Sequence, residues 1–472
     1  MSLDIRAADR KALLHAMADQ IDAYLTEAGD IGAGRPVPPQ AVQEALASFD
    51  FDRPVAAADA LDLAASALRQ LQPHSAHPRY FGLFESAPTT MGVIGHALAG
   101  AFNACLATRD GSPFAAAAEA KLISSFGTRL GFGSGEADGF VTTGGSEANF
   151  SAVQLALARR LPECTVAGLA AVAQRPAVYV SPEAHPSVPR AVRLSGLGHR
   201  AVREVGLDRD LRMDPAALER QLNADRAAGL EPLAVVLTAG TTAAGVIDPI
   251  EEVAGIAARH GLWLHVDAAW GGAAALLPRP DPAFRGLARA DSLTLDPHKW
   301  LSVPLGTGLL LTRHQGLLDR AFAADAAFLA GCSSEPAAEP FGRSLRWSRS
   351  FAALSLLLSL SVAGWHGYAE SIGCQLELGN ELRRQLAASG WQIVNTTPLP
   401  VVCFLPPDPA GQQPARLRLL AGTLNAGGEA RIEVVRCGGR PALRACITNH
   451  ATTTADVSAL VRLLGDASRR RG

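Results

Sequence analysis

Short apolar runs alternate with helix-like segments between about residues 80 and 315, and this alternation limits the fold of the chain more than any other feature. Helical patterns such as residues 147–160 and 250–260 separate the runs. Strand and helix in turn predict an α/β fold with a largely parallel sheet, in which ligands bind beyond the carboxyl ends of the strands. The predicted strands are residues 139–143, 177–180, 233–237, 262–266, 292–295 and 305–311.

Two further regions flank this large α/β domain, which we place at residues 79–345. Residues 1–78 are predicted to form a helical arm, because their apolar side chains recur at helical spacing but are too few for a separate core. Residues 346–472 are predicted to form a small α+β domain. Its predicted helices are residues 354–364, 375–388, 416–425 and 454–464, and its predicted strands are residues 391–394, 401–405, 432–435 and 443–447.

Composition excludes several classes of protein. The net charge of -2 comes from interspersed acids and bases, so no basic stripe predicts a nucleic-acid partner. Seven scattered cysteines without a CxxC pair predict free thiols in a reducing, cytoplasmic compartment. The first residues lack the apolar segment of a signal peptide, and the most apolar window, residues 351–365, is shorter than the roughly 20 residues that cross a bilayer. We therefore expect no membrane association.

Lys299 is one of only three lysines in the chain, whose other basic side chains are arginines. A guanidinium stays protonated in proteins and cannot attack a carbonyl, whereas a lysine amine can form a Schiff base. Lys299 lies in Asp296-Pro297-His298-Lys299-Trp300, between two predicted strands. Lys11 and Lys121 lie in helix-like stretches and fit ordinary surface salt bridges. A lysine at position 299 therefore predicts covalent chemistry with an aldehyde.

Two other motifs also follow predicted strands. Thr142-Thr143-Gly144-Gly145-Ser146-Glu147-Ala148-Asn149 opens a helix, whose free amides attract an anion such as phosphate, although an ordinary tight turn also explains the glycines. Asp267 ends the strand 262–266, where a protonated pyridine nitrogen would keep it ionised; a helix cap or an internal ion pair is the alternative. With Lys299, these motifs match the phosphate, ring nitrogen and aldehyde of pyridoxal 5′-phosphate.

Further polar residues follow the neighbouring strands. His185 is placed either to stack on a planar cofactor or to lie solvated in a loop. Gly240-Thr241-Thr242 adds hydroxyl groups to the same edge or caps the next element. A competing hypothesis is a metal-dependent hydrolase or binding protein, whose ligands would be His265, Asp267, Asp296 and His298. Because that hypothesis leaves Lys299 and the anion loop unused, we predict no metal.

Together these motifs resemble the group II pyridoxal phosphate-dependent amino acid decarboxylases, which include the aromatic amino acid, glutamate and diaminobutyrate decarboxylases. The combination of Gly-Gly-Ser-Glu-Ala-Asn, His-Val-Asp-Ala-Ala-Trp-Gly-Gly and Asp-Pro-His-Lys-Trp is highly specific, and the likeness runs from about His77 to the region of Arg444. The resemblance implies the aspartate aminotransferase-like architecture (fold type I), a homodimer with an interlocked N-terminal arm, and an amino acid substrate.

The resemblance also implies a role for single residues. Lys299 would carry the aldimine with pyridoxal 5′-phosphate, and loss of CO2 from the bound L-amino acid would leave a quinonoid intermediate. Asp267 would hold the ring nitrogen protonated, and His185 would stack on the ring. The other positions implied around the cofactor are Gly145, Ser146, Thr242, Ala269, Asp296 and His298.

Phe328 marks a departure from the aromatic decarboxylases. In those enzymes a tyrosine of a mobile loop protonates the intermediate, and ungapped counting from Lys299 places Phe328 at its position. Phenylalanine has no proton to donate. Either another acid or water supplies the proton and the product is an amine, or the intermediate meets oxygen and the product is an aldehyde. A shifted alignment would not supply a nearby tyrosine, because none lies between Lys299 and Tyr368.

The candidate substrate contacts are Tyr80, Phe84, Arg109 and Arg444. Arg109 lies in a run of small side chains, and it either clamps a distal acid group of the substrate, pairs with Asp110 or is solvated. The aromatic side chains at 80 and 84 either line the pocket or simply pack.

Overall fold

The computed structural model describes residues 4–133, 135–323 and 339–469. A central sheet contains the strands β1 (Asp138–Thr142), β2 (Arg175–Val180), β3 (Val202–Glu204), β4 (Leu230–Thr238), β5 (Trp263–Asp267), β6 (Ser292–Leu295) and β7 (Gly308–Thr312). Their order in the sheet is β1-β7-β6-β5-β4-β2-β3. Of these strands the sequence does not predict β3, because Val-Arg-Glu is not an apolar run.

The central sheet is largely parallel, as the sequence predicts. Strands β3, β2, β4, β5 and β6 pair in parallel, whereas β7 runs antiparallel to both β6 and β1. The carboxyl ends of β1, β2, β4, β5 and β6 therefore meet at one edge. Side chains of β4 alternate between two separate cores, since Val235 and Leu237 enter one and Ala234 and Val236 the other. Both faces of the sheet are covered, which confirms the α/β class.

The helices α1 to α8 are α1 (Ala7–Glu27), α2 (Pro39–Leu46), α3 (Ala57–Gln70), α4 (Thr90–Phe102), α5 (Pro113–Arg129), α6 (Gly145–Arg160), α7 (Cys164–Ala167) and α8 (Ser187–Val192). The helices α9 to α15 are α9 (Pro215–Ala227), α10 (Ile250–His260), α11 (Gly272–Ala275), α12 (Leu317–Phe322), α13 (Ala353–Ala388), α14 (Pro414–Gly427) and α15 (Thr454–Arg469). No helix in the described ranges is both long and apolar enough to span a membrane.

A second sheet lies in the C-terminal part of the chain. It contains β8 (Gln392–Ile393), β9 (Val401–Leu405), β10 (Glu433–Cys437) and β11 (Arg440–Cys446), all antiparallel and in the order β10-β11-β9-β8. The predicted gap between helices 354–364 and 375–388 is wrong, because helix α13 continues through it. Only Gly364 leaves the helical conformation, with φ 62° and ψ 175°, and one such residue kinks the helix without ending it.

The N-terminal helices contribute little to a core within one chain. None of the residues in α1, α2 or α3 is buried. This agrees with the sequence pattern, in which the apolar positions are too few for a separate core. The boundaries at residues 78 and 345 stay a prediction.

A buried ion pair ties helix α5 to the segment that precedes α13. Arg349 donates two hydrogen bonds to the Glu119 carboxylate, at 2.6 and 2.7 Å, and a third to the Val141 carbonyl of β1 at 3.1 Å. Both charged side chains are almost completely buried. Burial of a carboxylate without its charged partner is energetically costly. Because Arg349 also binds the Val141 carbonyl, a residue far along the chain helps to hold β1 in place.

We expect Arg349→Leu to lower the free energy of unfolding by about 3–5 kcal/mol, because Glu119 would be left buried and unpaired. Urea-induced unfolding followed by far-UV circular dichroism measures the loss. The matched control is Arg289→Leu, which breaks the exposed pair with Glu251 and should cost less than about 1 kcal/mol. Equal losses for the two variants would contradict the role of the buried pair.

Candidate active site

A cavity of about 490 Å³ opens at the carboxyl edge of the central sheet. The residues predicted around the cofactor all line it, and they are Gly145, Ser146, His185, Thr242, Asp267, Ala269, Asp296, His298 and Lys299. Two larger cavities, of about 700 and 660 Å³, lie at the β3 edge and beside the N-terminal helices, and no described lysine lines either. The topology therefore brings together side chains from five strand ends, as expected at this edge of a parallel sheet.

The start of helix α6 forms one wall of the cavity. Gly144 has φ 151°, and a Cβ atom there would lie 3.0 Å from the His298 ring, so only glycine fits without displacing it. The first amides of a helix have no intrahelical acceptor, and the helix dipole adds positive potential. This wall can therefore bind a phosphate group.

Glu147 holds the loop in front of this wall, a contact that no local pattern in the sequence indicates. Its Oε2 accepts hydrogen bonds from the backbone amide and the hydroxyl of Thr143, at 2.8 and 2.7 Å. Its Oε1 pairs with Arg346 Nε at 3.0 Å. Because Glu147 is itself neutralised by Arg346, its carboxylate does not cancel the positive potential of the helix start.

Lys299 lies in the turn that follows β6. Its Nζ forms an ion pair with Asp296 Oδ2 at 3.0 Å. Burial lowers the pKa of the Lys299 amine, but the carboxylates of Asp296 and Asp267 outweigh burial, so its pKa lies above that of an ordinary lysine. The Ser86 hydroxyl donates to the Lys299 carbonyl at 2.6 Å and holds the turn.

Several buried polar atoms of the cavity lack a partner, which tests whether a polar cofactor fits there. Asp296 Oδ1 and Thr238 Oγ1 have no hydrogen-bond donor or acceptor among the described residues. A native protein rarely leaves such atoms unsatisfied. The amine, the buried acceptors and the open helix start match the functional groups of pyridoxal phosphate, so the residues present fit this cofactor.

Asp267 ends β5 and is buried. Its Oδ2 accepts a hydrogen bond from Asn149 Nδ2 at 2.8 Å, and its Oδ1 accepts one from the Ala269 amide at 3.1 Å. Asn149 closes the Gly-Gly-Ser-Glu-Ala-Asn motif, but the sequence pattern assigned it no role of its own. Its position four residues after Gly145 places both on the same face of α6, which is the signal that could have found it.

His185 is held beside the cavity by Ser187. The Ser187 amide donates to His185 Nδ1 at 3.2 Å, and the Ser187 hydroxyl lies 2.7 Å from the same nitrogen. Burial lowers the pKa of His185, and the charge of Lys299 adds to this effect, although Asp267 opposes it. The ring is therefore neutral near pH 7, with its proton on Nε2 when the Ser187 amide donates to Nδ1.

His298 lines the cavity beside Gly144. Its Nδ1 lies 2.8 Å from the Thr307 carbonyl, which can only accept, so Nδ1 carries the proton. Its Nε2 is left without a proton and faces Asp296 Oδ2 at 3.8 Å. Burial lowers the pKa of His298 against the opposing charge of Asp296. Its Nε2 can accept a proton near Lys299.

The structure does not bring the predicted substrate residues into the lining of this cavity within one chain. Arg444 is buried and donates to the backbone carbonyls of Thr242 and Gly82, at 2.5 and 2.6 Å, so it supports the Thr242 loop. Phe84 lies behind Trp270, with ring centres 4.4 Å apart. Contact of either residue with the substrate stays a prediction.

Tyr80 and Arg109 do not line the cavity either. The backbone of Tyr80 forms an isolated β-bridge with the backbone of Arg431, and burial raises the pKa of the Tyr80 phenol to about 12. Arg109 lines a separate cavity of about 270 Å³ together with Arg349. Phe328 lies outside the described residues.

The alternative metal site is not supported by the hydrogen bonding of His265. Its Nδ1 pairs with Ser292 Oγ at 2.8 Å and its Nε2 with Asn149 Oδ1 at 3.0 Å, so both ring nitrogens are already used. Among the described residues, no group of three or more His, Cys, Asp and Glu side chains is placed to hold a metal ion.

Comparison with known proteins agrees with this geometry. The family described as "Pyridoxal-dependent decarboxylase conserved domain" matches residues 50–405. The aromatic-L-amino-acid decarboxylase of Bacillus atrophaeus is 30% identical over 391 residues, which cover 81% of this chain and 80% of that protein. The human cysteine sulfinic acid decarboxylase is 32% identical over 343 residues, or 71% of this chain and 69% of that protein.

Similarity in three dimensions extends over nearly the whole chain. The crystal structure of mouse CSAD has a TM-score of 0.91 and 26% sequence identity, and the match covers 98% of this chain and 99% of that one. Sequence motifs, cavity and relatives all indicate the same cofactor and the same fold type. The chain therefore belongs to the pyridoxal-dependent decarboxylases, and it is a pyridoxal phosphate-dependent amino acid carboxy-lyase.

Proposed function

We propose that this enzyme removes the α-carboxylate of an L-amino acid as CO2, replaces it with a proton at Cα and releases the amine. The observation that carries the proposal is the convergence of Lys299, Asp267 and the start of helix α6 on one cavity. When bound, pyridoxal phosphate supplies an aldehyde for amines and a protonated ring that accepts the electron pair left at Cα.

The residues of the chain bind the cofactor and transfer protons. Asp267 holds a negative charge where the ring nitrogen must stay protonated. The amides at the start of α6 bind the phosphate group. Lys299 must lose its proton before it can attack an aldehyde, and Asp296 Oδ2 and His298 Nε2 lie on its side of the cavity to take that proton.

Two groups of the cavity can return a proton to Cα without a loop tyrosine. Lys299 has a raised pKa and is protonated when it is not covalently bound. His185 has a lowered pKa, so its neutral ring can donate only from the nitrogen that Ser187 leaves protonated. Either donor would give an amine as the product, which is why amine formation is favoured over oxidation.

The product test uses purified holoenzyme with a panel of aromatic L-amino acids, acidic L-amino acids and cysteine sulfinic acid. CO2, amine, aldehyde and peroxide are measured in the same reaction. We expect CO2 and amine in equal amounts from at least one class of substrate, without consumption of oxygen. Aldehyde with peroxide would instead support decarboxylation coupled to oxidation, and no CO2 from any substrate would contradict the proposal.

Lys299→Ala should lose turnover by about a thousandfold or more, because the chain would lack its covalent anchor and its proton carrier. Borohydride reduction of the wild-type holoenzyme should fix the cofactor on a peptide that contains Lys299. Peptide mapping by mass spectrometry checks the site.

The other lysines give matched controls for this experiment. Lys121→Ala removes an amine from the exposed side of helix α5 and should leave both turnover and the fixed cofactor unchanged. Fixation at Lys121 or Lys11, or full turnover of Lys299→Ala, would overturn the assignment.

We also propose that the enzyme is a homodimer. Ile94, Leu98 and Phe102 follow at intervals of four residues on helix α4 and are 42%, 40% and 81% exposed. An adjacent face of α4 packs closely against α13, since a Cβ atom at Gly95 would lie 2.7 Å from Ser355 Cα. This apolar stripe, together with N-terminal helices that bury no residue within one chain, supports a contact with a second copy of the chain.

Phe102→Asp should shift the protein toward the monomer, because a charge would be placed in the apolar contact at its most exposed residue. Light scattering after size exclusion measures the mass. Val166→Asp is the control, since Val166 is 91% exposed and lies on α7, outside the stripe on α4. A wild-type monomer, or an unchanged mass for Phe102→Asp, would contradict the proposed contact.

The location in the cytoplasm stays a prediction. The cysteines within the described residues are all free thiols, namely Cys105, Cys164, Cys374, Cys403, Cys437 and Cys446. Fractionation of the native host would test the compartment.

A further inference from the structure

A chain of hydrogen bonds extends from Asp267 into the interior of the protein. Asn149 Nδ2 donates to Asp267 Oδ2 at 2.8 Å and to Ser187 Oγ at 2.9 Å. Asn149 Oδ1 lies 2.8 Å from Thr294 Oγ1 and 3.0 Å from His265 Nε2. Asn149 is only 2% exposed, so water does not replace any of these contacts.

The partners leave only one orientation for the Asn149 amide. A carboxylate can only accept, so the side of the amide that faces Asp267 must be its NH2 group. The oxygen then faces Thr294 and His265, and both of these have a proton to donate. A flipped amide would place its oxygen against the Asp267 carboxylate, which costs a buried hydrogen bond and adds repulsion.

The same series of hydrogen bonds determines which nitrogen of His265 carries the proton. Nε2 must donate to Asn149 Oδ1, so Nδ1 is the acceptor and receives the Ser292 hydroxyl at 2.8 Å. Ser292 Oγ in turn accepts from Trp263 Nε1 at 3.0 Å. Burial lowers the pKa of His265 to about 4 although Asp267 opposes it, so the ring is neutral near pH 7.

Because His265 is neutral, it does not compensate the negative charge of Asp267 from the interior side. Asp267 Oδ2 receives one hydrogen bond from Asn149 and Oδ1 one from the Ala269 amide, and the described residues leave a lone pair free on each oxygen. The carboxylate is thus stabilised and oriented without being neutralised. Its remaining partner must come from the cavity, where the ring nitrogen of the cofactor carries a proton.

We propose that Asn149 is a positioning residue, which holds the Asp267 carboxylate oriented toward the ring nitrogen while His265 and Thr294 hold its own amide. The inference rests on the proposed function, because it concerns the cofactor assigned to this cavity. It predicts that Asn149 acts on cofactor affinity through the ring nitrogen rather than through the general shape of the site.

The test measures the dissociation constants of two ligands with enzyme that has been stripped of cofactor. The ligands are pyridoxal 5′-phosphate and its 1-deaza analogue, in which carbon replaces the ring nitrogen. We expect Asn149→Leu to weaken binding of pyridoxal 5′-phosphate about tenfold or more, as expected for a lost hydrogen bond to a charged group. Binding of the 1-deaza analogue should change far less, because it makes no ring-nitrogen contact.

Two further variants complete the comparison. Gln154→Ala is the matched control, because Gln154 lies on the same helix and donates to Ser195 Oγ at 2.7 Å, and this variant should leave both constants unchanged. His265→Leu removes the partner that holds the Asn149 amide and should give a smaller loss in the same direction. If Asn149→Leu does not fold, as judged by circular dichroism, the dissociation constants of the two ligands are compared for His265→Leu instead.

The outcomes separate the two proposals. A wild-type protein that does not bind pyridoxal 5′-phosphate would contradict the proposed function itself. A wild-type protein that binds it, with variants that lose both ligands equally, would show that Asn149 only maintains the shape of the site. Unchanged binding of pyridoxal 5′-phosphate by Asn149→Leu would also overturn the inference.

Discussion

Two buried carboxylates at one edge of the central sheet are the constraint on which the site depends. Asp267 and Asp296 are 4% and 2% exposed, and a carboxylate at that depth is costly unless positive charge or hydrogen bonds surround it. Lys299 supplies the charge beside Asp296, and a side-chain amide and a backbone amide support Asp267. A protonated ring in the cavity would add further positive charge beside these carboxylates.

The fold provides this arrangement through its strand directions. Asp267 is the last residue of β5 and Lys299 follows β6, and these neighbouring parallel strands place both groups at the same edge. Helix α6 begins at that edge, so that positive potential from its first backbone amides faces the same cavity. The antiparallel β7 closes the space between β1 and β6. Charge, dipole and cavity thus follow from topology rather than from sequence proximity.

The hydrogen bonds behind the cavity explain why buried polar residues are tolerated in the sheet. His265, Thr294 and Ser292 point into the region between α6 and β5–β6, where each has a partner with matching donors and acceptors. Such a network is stable only if nearly every member is satisfied. The buried His265, which looks like a metal ligand in the sequence, is therefore used as a structural support for Asp267.

Local patterns in the sequence were sufficient to predict the α/β class, the strands β1, β2 and β4 to β7, and the candidates Lys299 and Asp267, whereas most other candidates around the cavity came from the family resemblance. Strand ends in a parallel sheet share an edge, so motifs that follow each strand could be assigned to one site from their positions along the chain. The three-residue β3 and the continuation of α13 past Gly364 could not be predicted, because both depend on packing against neighbours rather than on a local pattern.

Only the tertiary structure decided which polar side chains meet. The sequence by itself identified Lys299 and Asp267, because a lone amine and an acid at the ends of neighbouring strands are suited to few kinds of chemistry. The contact of Asp267 with Asn149, the proton position on His265 and the placement of Arg109 in a separate cavity depend on contacts between residues more than 100 positions apart. Such contacts leave no periodic signal along the chain, since they are selected by geometry in the folded state.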